Sequence, residues 1–319
     1  MENDDAPARV VVTGGAGFIG ANLCRHLVTD HGIDVVVVDD LTSGRRENLD
    51  GVDVELVRAS ILDRSVLDEV MTGAQAVVHL AARGSVPRSL EDPVGTHTVN
   101  ATGTVYVLEA ARAASVPHLL YASSSSVYGA SGELPKGETA VPKPMSPYAA
   151  SKLAAEAYVL AYARSFGLEA LAFRFFNVFG PLQPAGHAYA AVVPTFVDAA
   201  LRGLPLPVYG EGHQTRDFTY VGSVVRVLTA ALLERRTHPD PVNLAFGTRV
   251  SLLELVAELT ALLGVDVRLE HRPPRLGDIP HSQADDDLLR SLFPDVEATP
   301  LAEGLTRTVE WFRSTSGYT

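Results

Sequence analysis

The sequence predicts a doubly wound α/β fold, in which helices cover both faces of a parallel sheet and a smaller α/β lobe is interleaved toward the C-terminus. Three observations carry that expectation. Short, nearly continuous apolar runs alternate with helical patterns through the first half of the chain, as crossover connections between parallel strands require. The heptapeptide Gly14-Gly15-Ala16-Gly17-Phe18-Ile19-Gly20 lies between the first apolar run and the first helical pattern, where this fold needs a tight turn. After Val178 the rhythm changes to helices joined by Pro- and Gly-rich connectors.

Residues 9–13, with three consecutive valines, read as a buried strand, and residues 21–29 as the helix after the glycine turn, its Leu23, Leu27 and Val28 facing the sheet. Residues 33–38 give a second near-continuous apolar strand. Further strands are expected at 52–57, 76–80, 118–122 and 170–175, with helices at 65–71, 98–114 and 147–166 between them. Residues 1–178 are thereby assigned to the first domain and 179–319 mainly to a substrate lobe, with some segments returning to the first. In that lobe, helices are expected at 191–202, 221–235 and 251–263 and a short extended run at 207–209. Residues 267–285 read as loop, and a closing helix over 305–313 carries Trp311.

With 319 residues, 46% apolar and 20% charged, the chain can bury a large core. Lys and Arg total 26 against 38 Asp and Glu, a formal charge of -12 with no basic stripe, which argues against nucleic acid as a partner. Only Lys136, Lys143 and Lys152 are lysines, so cationic work elsewhere falls to Arg. Cys24 is the sole cysteine, which excludes an internal disulfide and a multi-thiolate metal centre, and it reads as a small buried side chain. Residues 1–7 are acidic and lack an apolar signal core, and no apolar run is long enough to span a bilayer, so a soluble cytoplasmic protein is expected.

The glycine turn follows a strand and opens a helix, the context in which its spacing implies a Rossmann-like dinucleotide site. Gly14 and Gly17 permit a tight turn and close approach of a pyrophosphate, and Gly20 lets the helix lie near the sheet. The helix N-terminus then meets the negative charge. Asp39, at the end of the second strand, can accept hydrogen bonds from an adenosine ribose but would repel a 2'-phosphate, so NAD is expected rather than NADP. Arg45 and Arg46 read as solvated surface residues, with contact to a 2'-phosphate as the alternative that would weaken the preference for NAD. Ala81 and Ala82 are small enough to admit a cofactor, whereas His79 reads as a satisfied core residue.

Tyr148 and Lys152 lie one turn apart on one helical face, so an ammonium can favour the phenolate of a tyrosine otherwise near pKa ~10. The hydroxyls of Ser123, Ser124, Ser125 and Ser126 follow the strand at 118–122, at the sheet edge where α/β ligands bind. No Gly-x-Ser-x-Gly elbow or paired-histidine metal pattern accompanies them, and no metal is expected.

On the blocks G-G-A-G-F-I-G, D-D-L-T-S-G, H-L-A-A, S-S-S-S-V-Y-G, Y-A-A-S-K, F-F-N-V-F-G-P, T-R-D-F-T-Y-V and R-L-G-D-I, the chain resembles the extended short-chain dehydrogenase/reductases, in particular nucleotide-sugar 4-epimerases. The resemblance implies that Ser124 orients the sugar C4 oxygen, that Tyr148 is the acid–base, and that Lys152 binds the nicotinamide ribose. It places Phe18, Ile19, Asp39, Ala81, Asn100, Ser123 and Phe175 around tightly held NAD, with Asp40, Leu41, Ser43, Gly44, Ser60, Ile61, Leu80, Ala82 and Val178 completing the cofactor set. Ser60 departs from the aspartate frequent near adenine in relatives. For a UDP-sugar substrate the resemblance implies Asn177, Arg216, Arg275 and Asp278, the arginines on the diphosphate and Asp278 on the uridine ribose. Ser85, Val86, Ser125, Tyr189, Val193 and Ser282 are implied toward the sugar, and a short residue at Ser282 leaves room for an acetamido group.

The implied reaction is reversible C4 inversion of a UDP-hexose through a 4-keto sugar. The rivals are a UDP-glucuronate 4-epimerase, for which Leu182 and Pro184 offer no charge, a 4,6-dehydratase, a related dehydrogenase and an NAD-responsive binding protein. Dehydratases of this group carry Asp-Glu where this chain has Ser125-Ser126. The resemblance also implies a homodimer through the helices at 99–114 and 147–166, using Ala101, Ala110, Ala154, Ala157 and Ala161 with Leu108, Leu153 and Leu160.

Overall fold

The computed structural model describes residues 7–186, 190–273 and 280–315. The first half runs β1 (Arg9–Thr13), α1 (Phe18–His31), β2 (Asp34–Asp39), β3 (Glu55–Arg58), α2 (Arg64–Val70), β4 (Ala76–His79), α3 (Val86–Glu91), α4 (Pro93–His97), α5 (Gly103–Ala113), β5 (His118–Ser124), α6 (Pro147–Phe166) and β6 (Glu169–Phe175). The second half adds β7 (Asn177–Phe179), α7 (Val192–Leu201), β8 (Leu206–Tyr209), β9 (Thr215–Arg216), β10 (Phe218–Tyr220) and α8 (Val221–Leu233). It ends with β11 (Val242–Leu244), β12 (Val250–Ser251), α9 (Leu252–Leu263), β13 (Leu269–Arg272), α10 (Asp287–Leu292) and α11 (Leu301–Thr315).

Seven strands form one sheet in the order β11-β6-β5-β4-β1-β2-β3, and every pairing in it is parallel. Successive strand residues point to opposite faces, and the valines separate accordingly. Val10, Val12, Val35, Val37 and Val78 join a core shared with α1, α8 and the C-terminal lobe. Val11, Val36, Val38 and Val77 join a second core with α2, α5 and α6. Both faces are dry, which is why these strands read as continuous apolar runs rather than alternating ones.

The doubly wound expectation holds, with differences of physical origin. α1 begins at Phe18 rather than at residue 21, because the glycine turn itself enters the helix. The helix expected over 98–114 opens with a π-helical turn at Thr98–Thr102, which joins α4 to α5. β11 comes from the second half and pairs with β6, Val242 facing Phe173, and three residues are too few to show a periodicity. Residues 267–285 are not all loop, since β13 pairs with β8 along four residues. Of the stripe expected at a dimer face, Ala101, Leu108 and Ala110 are buried within this chain, Leu108 and Ala110 in its own second core. On α6, by contrast, Ala157, Tyr158 and Ala161 are exposed.

Candidate active site

The C-terminal ends of β1, β2, β4, β5 and β6 meet at one edge of the sheet, and most of the expected residues fall there. Gly14 adopts φ 73°, and a Cβ on it would lie 2.7 Å from the Ala81 nitrogen. A Cβ on Gly20 would lie 2.3 Å from the Gly14 carbonyl oxygen, so helix and turn could not approach. Gly17 differs: a Cβ there would meet only the Gly14 carbonyl, at 3.2 Å. The fold itself does not demand that glycine; what it keeps open is the approach to α1. The helix carries no side-chain cap and no acidic residue in its first turn, so its N-terminal amides suit a pyrophosphate. The cradle therefore fits a dinucleotide.

Asp39, expected at the adenosine ribose, ends β2. Its Oδ2 accepts from the Ala16 amide at 3.0 Å and its Oδ1 from the Leu41 amide at 2.8 Å, leaving a second lone pair on each oxygen for a ribose hydroxyl. Burial pushes this carboxyl up, and the two amides oppose the shift. Gly44 has no room for a side chain, since a Cβ would sit 2.8 Å from either carboxylate oxygen. Leu41 takes a left-handed φ of 59°, which turns the loop over Ala16. Asp40 and Ser43 are exposed, and Ser60 is half-buried with its hydroxyl accepting from the Leu62 amide at 3.2 Å. Phe18, Ile19, Leu80, Ala81, Ala82, Phe175 and Val178 are half-buried along the same edge. Ile61 instead belongs to the second core and packs over Gly103.

His79 is a structural relay, as expected of a satisfied core residue. Thr104 Oγ1 donates to the Asn100 carbonyl at 2.6 Å, so it must accept from His79 Nε2–H at 2.9 Å. Nδ1 then accepts from Thr13 Oγ1 at 2.6 Å, and Thr13 in turn accepts the Ala81 amide at 3.3 Å. Burial holds the imidazole neutral, pulling its pKa down to about 3. Asn100, set in the π-helical turn, spends its amide on Arg83 and on Ser151 Oγ, the latter at 3.0 Å. It thus braces the loop after β4 against the helix that carries Lys152.

The reactive groups converge from two elements. β5 delivers Ser124, and α6, capped by Ser146 with Pro147 in its first turn, delivers Tyr148 and Lys152. Tyr148 lies close enough to Ser124 for the serine hydroxyl to oppose the upward push of burial on the phenol. Ser124 Oγ accepts from the Ser126 amide at 3.2 Å and the Ser126 hydroxyl at 2.8 Å. Its lone pairs are then occupied, so its own proton is left to donate, and a donor beside Tyr148 favours the phenolate. Lys152 is 3% exposed, with its ammonium 4.6 Å from the centre of the Tyr121 ring. Burial pulls its pKa down to about 7, and Glu156 opposes that shift. Ser123 turns the other way, donating to Glu156 Oε2 at 2.6 Å.

Among the residues expected to meet substrate, β9, β12 and the bridge from Thr215 to His281 bring Arg216 near Ser282, whose amide donates to the Thr215 carbonyl at 3.1 Å. Asn177 donates to the Asp217 carbonyl from its backbone and its side chain, at 3.2 and 3.3 Å. Ser85 caps α3, accepting from the Arg88 amide, and Ser125 and Val86 are half-buried. Val193 is 1% exposed and packs in the first core, so its side chain is not presented to a ligand. Tyr189, Arg275 and Asp278 lie outside the described residues.

Sequence reading missed Glu156, Arg174 and Asp217. Asp217 is fully buried, accepting from the Ala284 amide and the Thr248 hydroxyl, and burial pushes its carboxyl up to about 6. Glu156 was legible in part, standing one turn beyond Lys152 as Lys152 stands beyond Tyr148. The partners of both carboxylates are far away in sequence.

The NAD dependent epimerase/dehydratase family matches residues 10–245. A UDP-glucose 4-epimerase of Mycolicibacterium smegmatis is 38% identical over 97% of this chain and 99% of its own length. Among solved structures, the UDP-N-acetylglucosamine 4-epimerase of Methanobrevibacter ruminantium, in complex with UDP-N-acetylmuramic acid, superposes with a TM-score of 0.91 at 33% identity, covering 97% of this chain and 99% of that one. The UDP-glucose 4-epimerase of Thermotoga maritima, solved with UDP-glucose, gives a TM-score of 0.90 at 33% identity over 96% and 99% of the two chains. Sequence and fold agree over nearly the whole length: this chain belongs to the NAD dependent epimerase/dehydratase family.

Proposed function

We propose that the protein catalyses reversible inversion at C4 of a UDP-hexose. The observation that carries this reading is the convergence of Ser124, at the end of β5, with Tyr148 and Lys152 of α6 at the mouth of the dinucleotide cradle, with Ser125 and Ser126 following Ser124. Tyr148 takes the C4 hydroxyl proton as the alcohol becomes a ketone and returns it when the 4-keto sugar is reduced on its other face. NAD held by the glycine turn and Asp39 would supply the hydride acceptor for oxidation at C4 and, once reduced, the hydride donor for the return. Ser124 aligns the C4 oxygen with Tyr148, and Lys152 supplies the positive charge that favours the phenolate. Loss of the C6 hydroxyl would need an acid and a base beside Tyr148; Ser125 and Ser126 are neither.

The substrate reading extends to an N-acetylated hexose, because the serine at position 282 leaves space beside C2. Arg216, Arg275 and Asp278 would hold the nucleotide, as the resemblance implies, and the active unit would be a homodimer with NAD retained through turnover. Conversion of UDP-glucose and UDP-N-acetylglucosamine to their 4-epimers tests the reading. A 4-keto-6-deoxy product would replace it with dehydration, and stoichiometric NADH with simple oxidation.

A further inference from the structure

We propose that Glu156 is a positioning residue of this site: one turn beyond Lys152 on the same face of α6, its buried carboxylate clamps the end of β5 and supplies the negative charge that Lys152 needs. The inference rests on the reading of Tyr148 and Lys152 as the acid–base pair.

Glu156 is 2% exposed, and both of its oxygens are engaged. Oε2 accepts from Ser123 Oγ at 2.6 Å and from Arg174 Nε at 3.0 Å, while Oε1 accepts from Arg174 Nη2 at 2.7 Å. This is a two-point fork, the geometry that fixes a carboxylate in orientation as well as place. Arg174 is anchored in turn: Nη1 donates to the Glu138 carbonyl at 3.2 Å, and its guanidinium lies 4.7 Å from the centre of the Tyr128 ring. Tyr128 donates to Asn243 Oδ1 at 2.6 Å. The network thus joins β5, α6, β6 and β11 directly beneath the reactive residues. A buried ion pair of this kind contributes little net stability, because desolvation offsets the attraction. Its effect on its neighbour is larger.

The groups facing Lys152 come from each element around it. α6 contributes Tyr148 and Glu156, β5 the ring of Tyr121, and β4 the neutral His79, with Arg174 of β6 behind Glu156. The π-helical turn contributes the uncharged Asn100, bonded to Ser151. Glu156 is therefore the anion of this set. Without it, Lys152 would share a dry site with a guanidinium that cannot discharge. Without Arg174, Glu156 would have Lys152 as its nearest cation. The two removals must move Lys152 in opposite directions, whereas a purely structural clamp would disturb both variants alike.

Three lysines in the chain make the test direct. The full-length protein with its cofactor, labelled with 13C at lysine Cε, gives three resonances, and Lys152→Met identifies the one of interest. Titrated without sugar, the Lys152 midpoint should fall by about one pH unit, roughly tenfold in proton affinity, in Glu156→Gln and rise by a similar amount in Arg174→Gln. Should Glu156→Gln fail to fold, the upward shift in Arg174→Gln is still required. An unmoved midpoint in Arg174→Gln, or shifts of the same sign in both variants, overturns the proposal. The alkaline limb of kcat should move with the midpoint. Opposite shifts in a protein that converts no UDP-hexose would refute the C4 reading alone, and an unmoved midpoint in an active epimerase would refute this one alone.

Discussion

Tyr148 and Ser124 show how a single hydrogen-bond direction decides a residue's chemistry. Because Ser126 fills the lone pairs of Ser124, the Ser124 hydroxyl is left as a donor beside the phenol. Tyr148→Phe keeps the ring and removes the proton-carrying oxygen, so kcat should fall by ~10²–10⁴-fold while NAD binding persists. Ser126→Ala removes one neutral hydrogen bond, worth about 1 kcal/mol or ~5-fold in rate. Ser126→Thr should restore it, and steady-state kinetics on the two variants checks both statements. At position 282 the expectation is steric. Ser282→Tyr should lower kcat/KM for UDP-N-acetylglucosamine relative to UDP-glucose, because excluding a whole substituent discriminates more strongly than losing one polar contact. An unchanged ratio of the two substrates contradicts the open pocket.

At the scale of elements, α6 has two jobs. One face carries Tyr148, Lys152 and Glu156 inward; the other leaves Ala157 and Ala161 exposed beside Tyr158, which is 48% exposed. Small side chains on a surface helix permit close approach of a second copy, so the dimer is expected through α6, with less from α5 than the sequence suggested. Ala157→Arg with Ala161→Glu should convert the dimer to a monomer in light scattering, and a parent that is already monomeric refutes the interface. The glycine turn, the Tyr148–Lys152 spacing and the long strands were legible because each is a local pattern with a local cause. β9 and β12 are two-residue strands, defined only by their partners. The buried acceptors Glu156 and Asp217 are defined by donors on other elements. Asn100 was read as a cofactor neighbour, yet its amide is committed to Arg83 and Ser151, a role that only the folded π-helical turn reveals.

For the whole molecule, the site trades stability for reactivity. The folded state holds the Lys152 proton less tightly than the unfolded chain, since burial lowers the pKa from 10.5 to about 7. Between those values the unfolded chain binds more protons, so this residue's contribution to stability rises with pH through that window, and its cost is fully present below pH 7. Lys152→Met should therefore raise Tm by a few degrees at pH 7 while abolishing turnover, and the gain should shrink toward pH 10. Thermal unfolding at the two pH values reads the effect, and equal gains at both would contradict it. No helix among the described residues is long and apolar enough to cross a membrane. Retention of NAD is a property of the whole cradle: protein purified without added cofactor should release NAD, not NADP, on denaturation.

The proposed inversion is an internal redox at C4 with no net change in the cofactor. The most direct measurement incubates the purified protein with UDP-glucose and UDP-N-acetylglucosamine, without added NAD, and follows products by chromatography and NADH by absorbance. The account predicts the 4-epimer accumulating to equilibrium from either direction while NADH stays below one equivalent of enzyme. A 4-keto-6-deoxy sugar, or NADH formed in step with product, would contradict it.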